Sequence, residues 1–162
     1  MVVDIRPALP DDAADLARIG LAAWLKGIGP HVPDAVRGRM VRDNPFVPFI
    51  REMGPGILVA TVNGHVAGLA ACEHSDDLIS DLWVSPDHEG RGAGSALVRA
   101  LEREIAARGH AEARLEVLAA NSRAASLYER LGYQRLWQAV RYDAILAMDL
   151  DKIGLGKPLP PG

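Results

Sequence analysis

The chain has 162 residues, of which 49% are hydrophobic and 24% charged, and its formal net charge is −3. This size predicts one globular domain over residues 1–153, followed by a flexible tail over residues 154–162. The acidic balance argues against a nucleic-acid-binding surface, and no apolar run is long enough to span a bilayer. We therefore expect neither nucleic acid nor a membrane as a partner.

The N-terminal half predicts a short strand over residues 2–6 and a helix that opens at Pro10. Leu16, Ile19 and Trp24 recur in this helix at helical spacing. Between residues 27 and 55, glycines, prolines and charges interrupt the pattern, so this stretch predicts mostly loops, with a second helix over residues 34–43. Residues 57–62 and 65–72 flank Asn63-Gly64, which predicts an antiparallel hairpin with a type I′ turn.

The C-terminal half predicts a strand over residues 78–84, a helix over residues 93–108 and a strand over residues 113–118. A strand, a helix and a strand in this order form a βαβ unit, so the two strands are expected to run parallel. Asn121 or Ser122 is expected to cap a further helix that ends near Gly132. Residues 133–137 and 143–150 then predict two closing strands.

Cysteine usage and the N-terminal residues bear on location and metal binding. Cys72 is the single cysteine and lies in an apolar run, which is typical of an inert buried thiol in a reducing compartment. Residues 1–7 show no basic stretch followed by an apolar segment, so no secretory signal is predicted. We expect a cytoplasmic protein. Without a cysteine pair or a repeating histidine spacing, no metal site is expected.

A glycine-rich turn lies between the strand at residues 78–84 and the helix that follows it. Gly90, Gly92 and Gly94 let a ligand approach the backbone closely, and the amides of residues 90–95 precede the first helical hydrogen bonds. Free amides at a helix start attract an anion, which predicts a phosphate site here. An ordinary tight turn entering a helix is the alternative.

Spacing separates the known phosphate-binding designs. A P-loop is excluded because no lysine follows Gly94 until Lys152. A dinucleotide site gains support from Glu112 and Glu116, which stand about twenty residues farther on. The glycines, however, occupy the first, third and fifth positions, whereas the dinucleotide fingerprint requires the first, third and sixth.

A second motif lies farther along the chain. Asn121 and Tyr128 stand about two helical turns apart after the crossover strand, so both can face one cleft. Together with Leu82-Trp83-Val84 and the glycine turn, this combination resembles the Gcn5-related N-acetyltransferase (GNAT) superfamily. The coenzyme motif of that superfamily reads Gln/Arg-x-x-Gly-x-Gly/Ala, and residues 89–94 match its last two fixed positions but have Glu89 at the first. Residues 115–132 and 143–145 are locally most similar to ribosomal-protein alanine N-acetyltransferases.

The resemblance implies an α/β fold with a mixed, mostly antiparallel sheet, a central parallel βαβ unit and flanking helices. It also implies acetyl-CoA as the cofactor, with pantetheine held between strands 82–84 and 114–118 and a main-chain amide, that of Val84, directed at the thioester carbonyl. Arg91 is expected to offset the charge of Glu89. The cofactor-binding residues implied are Leu82, Trp83, Val84, Glu89, Gly90, Arg91, Gly92, Ala93, Gly94, Ser95, Asn121 and Tyr128.

By the same resemblance, Tyr128 is the general acid that protonates the departing thiolate, and Glu116 matches the glutamate assigned as base. Strand alternation places Leu78 and Ser80, neither of which can serve as a base, at sites where relatives often carry one. Glu73 and Asp81 are weaker candidates, and a water relay is an alternative to all of them. Asn121 is expected to bind cofactor or a relay water, or to cap its helix.

We expect acetyl transfer to a primary amine, either a protein N-terminus or a small molecule such as an aminoglycoside, and a homodimer. Two other functional classes stay open from the sequence. One is a non-catalytic acyl-CoA-binding module, and the other is a dinucleotide enzyme.

Overall fold

The computed structural model describes residues 1–161, which form five α-helices and eight β-strands. The helices are α1 (Ala13–Gly27), α2 (Asp34–Asp43), α3 (Phe46–Met53), α4 (Ala93–Ala107) and α5 (Ser122–Arg130). The strands are β1 (Val3–Pro7), β2 (Leu58–Val62), β3 (His65–Ala71), β4 (Leu78–Ile79), β5 (Asp81–Val84), β6 (Glu112–Leu118), β7 (Gln134–Asp143) and β8 (Met148–Pro158).

The strands form two four-stranded sheets, in the orders β1-β2-β3-β5 and β4-β6-β8-β7. Every neighbouring pair is antiparallel except β4 and β6, which are parallel and have α4 in the connection between them. Parallel neighbours require such a crossover, because a tight turn can join only antiparallel strands. The predicted mixed, mostly antiparallel sheet with a parallel βαβ unit is therefore confirmed.

The hairpin of β2 and β3 forms at the predicted turn. Asn63 and Gly64 both have positive φ, at 50° and 83°, and Val62 pairs with His65 across the turn. Positive φ at both central residues is the type I′ geometry, which matches the natural twist of the two strands.

The strand predicted over residues 78–84 is instead two short strands separated by Ser80. β4 pairs with β6 in one sheet, and β5 pairs with β3 in the other. Ser80 makes local bonds at this break: its amide donates to Ala71 O at 3.0 Å, and its hydroxyl accepts from the amide of Glu73 at 2.8 Å. Such side-chain bonds to backbone compete with a regular ladder.

The flexible tail predicted from residue 154 is wrong for residues 154–158, because β8 continues to Pro158. β8 is an inner strand that pairs with β6 on one side and β7 on the other. Gly154 serves this pairing, since a side chain there would collide with the indole of Trp137 across the strand. The two predicted closing strands likewise have different bounds, since residues 144–147 form the turn between β7 and β8.

The stretch from residue 27 to residue 55 is more helical than predicted. The helix predicted over residues 34–43 is confirmed as α2, but α3 was missed, because Pro45 and Pro48 suggest a loop. Proline is tolerated in the first turn of a helix, where amides have no helical partner. The amide of Phe46 is satisfied instead by Asn44 Oδ1 at 3.1 Å.

Two hydrophobic cores fill the molecule. One lies against α4 and α5 and includes Leu97, Leu101 and Tyr128. The other lies against α1, α2 and α3 and includes Leu16, Ile19 and Phe46. Side chains of β5 alternate between them: Leu82 and Val84 pack against the first core and Trp83 against the second. β5 therefore contributes to both, which places it at the centre of the site described next.

Candidate active site

A gap opens between β5 and β6 where the two sheets part. The parallel pairing of β4 with β6 ends at Ile79 and Leu115, and from Asp81 onward the chain pairs with β3 instead. Ser85 N donates to Ala67 O of β3 at 2.7 Å. Because amides alternate sides along a strand, those of Leu82 and Val84 point away from β3, into the gap. The gap is thus lined by main-chain donors available to a ligand.

The glycine turn lies at the end of β5, where α4 begins. Gly90 and Gly92 have φ of 75° and 87°, and Gly92 is the N-cap of α4, its carbonyl accepting from Ala96 N at 3.0 Å. Within residues 1–161 no amide from 90 to 95 donates a hydrogen bond. A Cβ at Gly90 or Gly92 would meet nothing within 4 Å, so the turn faces open space. These free amides at a helix start form an anion-binding surface.

Glu89 is held by two basic side chains. Its Oε2 lies 2.8 Å from Lys26 Nζ at the end of α1 and 2.8 Å from Arg123 Nη1 at the start of α5. The expected compensation by Arg91 is wrong, since the partners come from the two flanking helices. The carboxylate beside the anion surface is therefore neutralised, and it ties α1 and α5 to the glycine turn.

Asn121 makes the helix cap that the sequence predicts. Its Oδ1 accepts from Ala124 N at 3.2 Å, which satisfies one of the free amides at the start of α5. Its Nδ2 is directed at the last turn of α1, where a Cβ at Gly27 would lie 3.3 Å away. Any contact of Asn121 with a cofactor stays a prediction.

Tyr128 lies on α5 with only 6% of its surface exposed. Its ring packs edge-on against Tyr133, with centroids 5.7 Å apart. Its hydroxyl makes no hydrogen bond within residues 1–161. In this part of the chain, the only fully buried side-chain nitrogen or oxygen atom without a hydrogen-bond partner is His88 Nδ1, so the Tyr128 oxygen is not fully buried. The Tyr128 hydroxyl therefore borders solvent-accessible space. Burial and the negative charge of Asp81 raise the pKa of Tyr128, which keeps the phenol protonated.

Asp81 is the first residue of β5, and its side chain is partly buried. Its carboxylate accepts from Trp83 Nε1 at 3.0 Å and from Ser80 Oγ at 2.9 Å. Burial raises its pKa, although these two hydrogen bonds and the nearby His74 oppose the shift. The sequence ranked Asp81 low because it faces away from Leu78 and Ser80. In the structure, however, Asp81 and Trp83 line the cavity together with Leu78 and Ser80.

A cavity of about 600 Å³ lies on the α1–α3 face of β5. Asp81 and Trp83 line it, as do Glu73 and the two residues Glu116 and Val117 of β6. Glu116, the predicted base, is an exposed side chain on this cavity. The cavity therefore brings together Asp81 and the two other carboxylates that the sequence considered as bases, beside the gap between β5 and β6.

Within residues 1–161, no group of three or more histidine, cysteine, aspartate or glutamate residues is placed to hold a metal ion. None of the helices in this part of the chain combines the length and apolar character needed to cross a membrane.

The sequence profile of the acetyltransferase (GNAT) family matches residues 24–133, more than half of the chain. The chain belongs to this family, whose members transfer acetyl groups from acetyl-CoA. A crystal structure of a GCN5-related N-acetyltransferase from Rhodopseudomonas palustris is 27% identical, with a TM-score of 0.79 over 98% of this chain and 99% of that one. The predicted superfamily and fold class are thus confirmed.

Other matches are shorter or have lower identity. An acetyltransferase of Sodalis glossinidius is 37% identical over 79 residues, which cover 48% of this chain and 56% of that protein, so the match spans little more than half of this curated relative. The PaiA N-acetyltransferase of Thermoplasma acidophilum, solved with coenzyme A, is 17% identical, with a TM-score of 0.72 over 98% and 99% of the chains. The ribosomal-protein-S18-alanine N-acetyltransferase of Escherichia coli is 24% identical, with a TM-score of 0.69 over 99% and 96%.

Proposed function

We propose that this protein transfers an acetyl group from acetyl-CoA to a primary amine by direct attack of the amine. The observation that carries the proposal is the path along β5. At one end, Gly94 of the glycine turn lies against Val84, where a Cβ on Gly94 would sit 3.5 Å from Val84 Cγ2. At the other end, Asp81 borders the cavity. Along β5, the anion-binding surface is therefore followed by the open strand edge and then by the cavity. This order matches the diphosphate, the pantetheine arm and the acetyl group of acetyl-CoA.

The residues present fit acetyl-CoA at both of its recognition points. The amides of residues 90–95 would hold the diphosphate, and Arg123 and Lys26 add positive charge beside them. The free amides of Leu82 and Val84 would bind the pantetheine arm as a neighbouring strand would. When bound, acetyl-CoA supplies the thioester carbonyl that the amine attacks. The Val84 amide is the proposed oxyanion donor, a role in which one donor contributes about 3–4 kcal/mol.

Tyr128 is the proposed general acid. Its hydroxyl makes no hydrogen bond in the described part of the chain, and its raised pKa keeps the proton in place until the thiolate departs. Glu116 is the proposed base, because it is a carboxylate on the cavity and on the strand opposite β5 across the gap. It would take the proton that the attacking ammonium must lose, directly or through a water molecule.

The acceptor has two candidates. Local similarity of residues 115–132 to ribosomal-protein alanine N-acetyltransferases supports a protein N-terminus. The volume of the cavity, about 600 Å³, and its carboxylate lining support a small amine, which we develop below. As for location, we propose the cytoplasm, because burial raises the pKa of the lone Cys72 thiol, and an unreactive, unpaired cysteine suits a reducing compartment.

We also propose that two copies pair through β7. This strand is an edge of its sheet, and an exposed edge is a template for pairing. Antiparallel pairing of two copies about Ala139 would place Arg135 of one opposite Asp143 of the other. The edge also carries three exposed apolar side chains, Leu136, Val140 and Tyr142. Light scattering should give a dimer, and Val140→Lys should give a monomer; a monomeric wild type contradicts this pairing.

The function is tested by thermal melting with acetyl-CoA, followed by a thiol-release assay over a panel of amines. Acetyl-CoA should raise the melting temperature, because a ligand that binds only the folded state stabilises it. NAD should have no such effect; stabilisation by NAD alone would favour a dinucleotide enzyme. Coenzyme binding without turnover of any amine would favour a non-catalytic acyl-CoA-binding module.

A further inference from the structure

We infer that the acceptor is a small primary amine with an apolar body, whose ammonium group binds Asp81 and whose body packs against Trp83 and Phe46. This inference rests on the proposed function, because it names the substrate class of the same site. It also assigns Asp81 a role that neither the family pattern nor the sequence analysis gave it.

The first support is the hydrogen bonding of Asp81. A carboxylate accepts about four hydrogen bonds, and Trp83 Nε1 and Ser80 Oγ supply two of them. Both donors come from β5 or the residue before it, so they fix the orientation of the carboxylate without closing it off from the cavity. The remaining acceptor positions suit an ammonium group, which carries three donors and no acceptor.

The second support is the charge of the cavity. Glu73 lies 3.5 Å from His74, and Asp143 lies 3.2 Å from Lys152, so these two carboxylates have basic neighbours. Asp81, Glu52 and Glu116 line the cavity without a salt bridge within residues 1–161, and of these three Asp81 is the one hydrogen-bonded to an aromatic side chain, that of Trp83. A cation that leaves water requires a paired charge of opposite sign, and Asp81 offers one at the inner surface.

The third support is the aromatic wall beside Asp81. Trp83 and Phe46 meet edge to face, with centroids 5.3 Å apart and planes at 82°. Edge-to-face packing is a favourable geometry for two aromatic rings, and both rings line the cavity. An aliphatic or aromatic group on the acceptor would bury apolar surface here while its ammonium group lies against the carboxylate, two residues away on the same strand face.

The size of the cavity and the anchoring of its rim favour a small acceptor over a peptide. Arg39 Nη2 of α2 donates to Leu146 O at 2.6 Å, which ties α2 to the turn at residues 144–147. Leu146 itself is buried, so this turn is packed down onto the second core. The cavity of about 600 Å³ lies in the range typical of small-molecule sites, ~300–1,000 Å³. An extended peptide would also need main-chain partners that an aromatic wall does not supply.

The test compares three acceptors: 2-phenylethylamine, spermidine and a short peptide with an N-terminal alanine. We expect kcat/KM to be highest for 2-phenylethylamine. Asp81→Asn should raise the KM for this amine about 10- to 100-fold, as expected for losing a charged hydrogen bond, and should change kcat less. The matched control is Asp4→Asn, an exposed aspartate on β1, at the opposite edge of the sheet that contains β5, which should leave KM unchanged.

A binding measurement separates this inference from the proposed function. Calorimetric titration of 2-phenylethylamine is made with saturating coenzyme A, which has no acetyl group to transfer. Binding that weakens in Asp81→Asn and in a second variant, Asp81→Ser, supports the inference even if no amine is turned over; retained coenzyme binding shows that the variants fold. The inference is overturned if the amine does not bind, if its affinity is unchanged in both variants, or if spermidine or the peptide is the best acceptor.

Discussion

The indole nitrogen of Trp83 donates a 3.0 Å hydrogen bond to Oδ1 of Asp81, two residues earlier on the same face of β5. Each side chain thereby fixes the other: the carboxylate satisfies the indole N–H, and the indole orients the carboxylate, which lines the cavity. A partly desolvated acid is costly to keep charged, and the hydrogen bonds from Trp83 and Ser80 offset only part of that cost.

Asp81→Asn should stabilise the protein at neutral pH. Burial raises the folded-state pKa of Asp81 above its ordinary value of 3.8, so between these two values the folded chain binds more protons than the unfolded chain. The free energy of unfolding therefore falls as the pH rises through this window. Calorimetric melting should give the variant the higher melting temperature at pH 7, with the difference narrowing as the pH is lowered toward 3.8.

The nearby His74 acts in the opposite direction, because its charged form favours the ionised Asp81. Repeating the melts in a His74→Ala background removes this contribution. A wild type that melts higher than Asp81→Asn across the whole pH range would mean that the hydrogen bonds of the carboxylate outweigh its desolvation.

Tyr128→Phe should lower kcat about 10²- to 10⁴-fold, the usual range for losing a general acid. Coenzyme affinity and stability should change little, because the hydroxyl makes no hydrogen bond to residues 1–161. Since the pKa of Tyr128 is raised above its ordinary 10.0, its deprotonation should give no alkaline limb in the wild-type rate profile below pH 10. Unaltered turnover in Tyr128→Phe would remove Tyr128 from the mechanism.

Glu89→Gln should tighten coenzyme binding about 3- to 10-fold, because it frees Lys26 and Arg123 to act on the diphosphate. The same change should cost stability about 0.2–1 kcal/mol per lost ion pair, since both pairs are partly exposed. Titration at two salt concentrations measures the effect, and the gain should shrink at high salt. Glu129→Gln, which breaks a pair with Arg135, is the control. Weaker binding in Glu89→Gln would show that Glu89 positions the turn.

Gly92→Ala should weaken coenzyme binding more than it weakens the fold. Gly92 has a φ of 87° and open space around it, so a methyl group there costs about 1–2 kcal/mol of backbone strain and no clash. Gly64→Ala is a matched control, with a φ of 83° and equally open surroundings, but in the β2–β3 turn. Both variants should lose similar stability in chemical denaturation. Equal coenzyme affinity in the two would contradict a site at residues 90–95.

Gly68→Ala should destabilise the protein and disturb the gap together. A Cβ at Gly68 would lie 2.9 Å from the Trp83 carbonyl oxygen and 3.4 Å from Val84 Cα, and backbone atoms cannot turn aside as side chains can. β5 would be pushed toward the gap, at a cost of about 1–3 kcal/mol. Chemical denaturation measures the stability of the variant, and titration with acetyl-CoA measures its affinity for the coenzyme. An active variant of full stability would show that β5 has room to move.

Local signals in the sequence predicted much of the fold because single residues decide those features. Asn63-Gly64 alone predicts the hairpin turn, and the side chain of Asn121 caps α5 as expected. The break at Ser80 was missed because it depends on bonds to Ala71 and Glu73, which come close only when β3 and β5 pair. The inner position of β8 was missed for a similar reason, since its glycines look like loop residues until Trp137 is seen to cover Gly154.

The site was less predictable than the fold. The glycine turn was found because its signal lies within a few consecutive residues. The partners of Glu89 come from α1 and α5, 63 and 34 residues away in sequence, and no spacing rule relates them. Asp81 was underrated because alternation along a strand gives the face of a side chain but not what covers that face. The wall supplied by the turn at residues 144–147 needed the tertiary structure.

The sheet separates two tasks that can change independently over evolutionary time. Residues that would grip the coenzyme lie at the start of α4 or along the backbone of β5, whereas the acceptor cavity is shaped by α2, α3 and the turn at residues 144–147. Mutations in those outer segments can change the specificity for the amine without altering the residues that would bind the coenzyme. Descendants of such a chain could acquire new acceptors through changes in α2 and α3 alone.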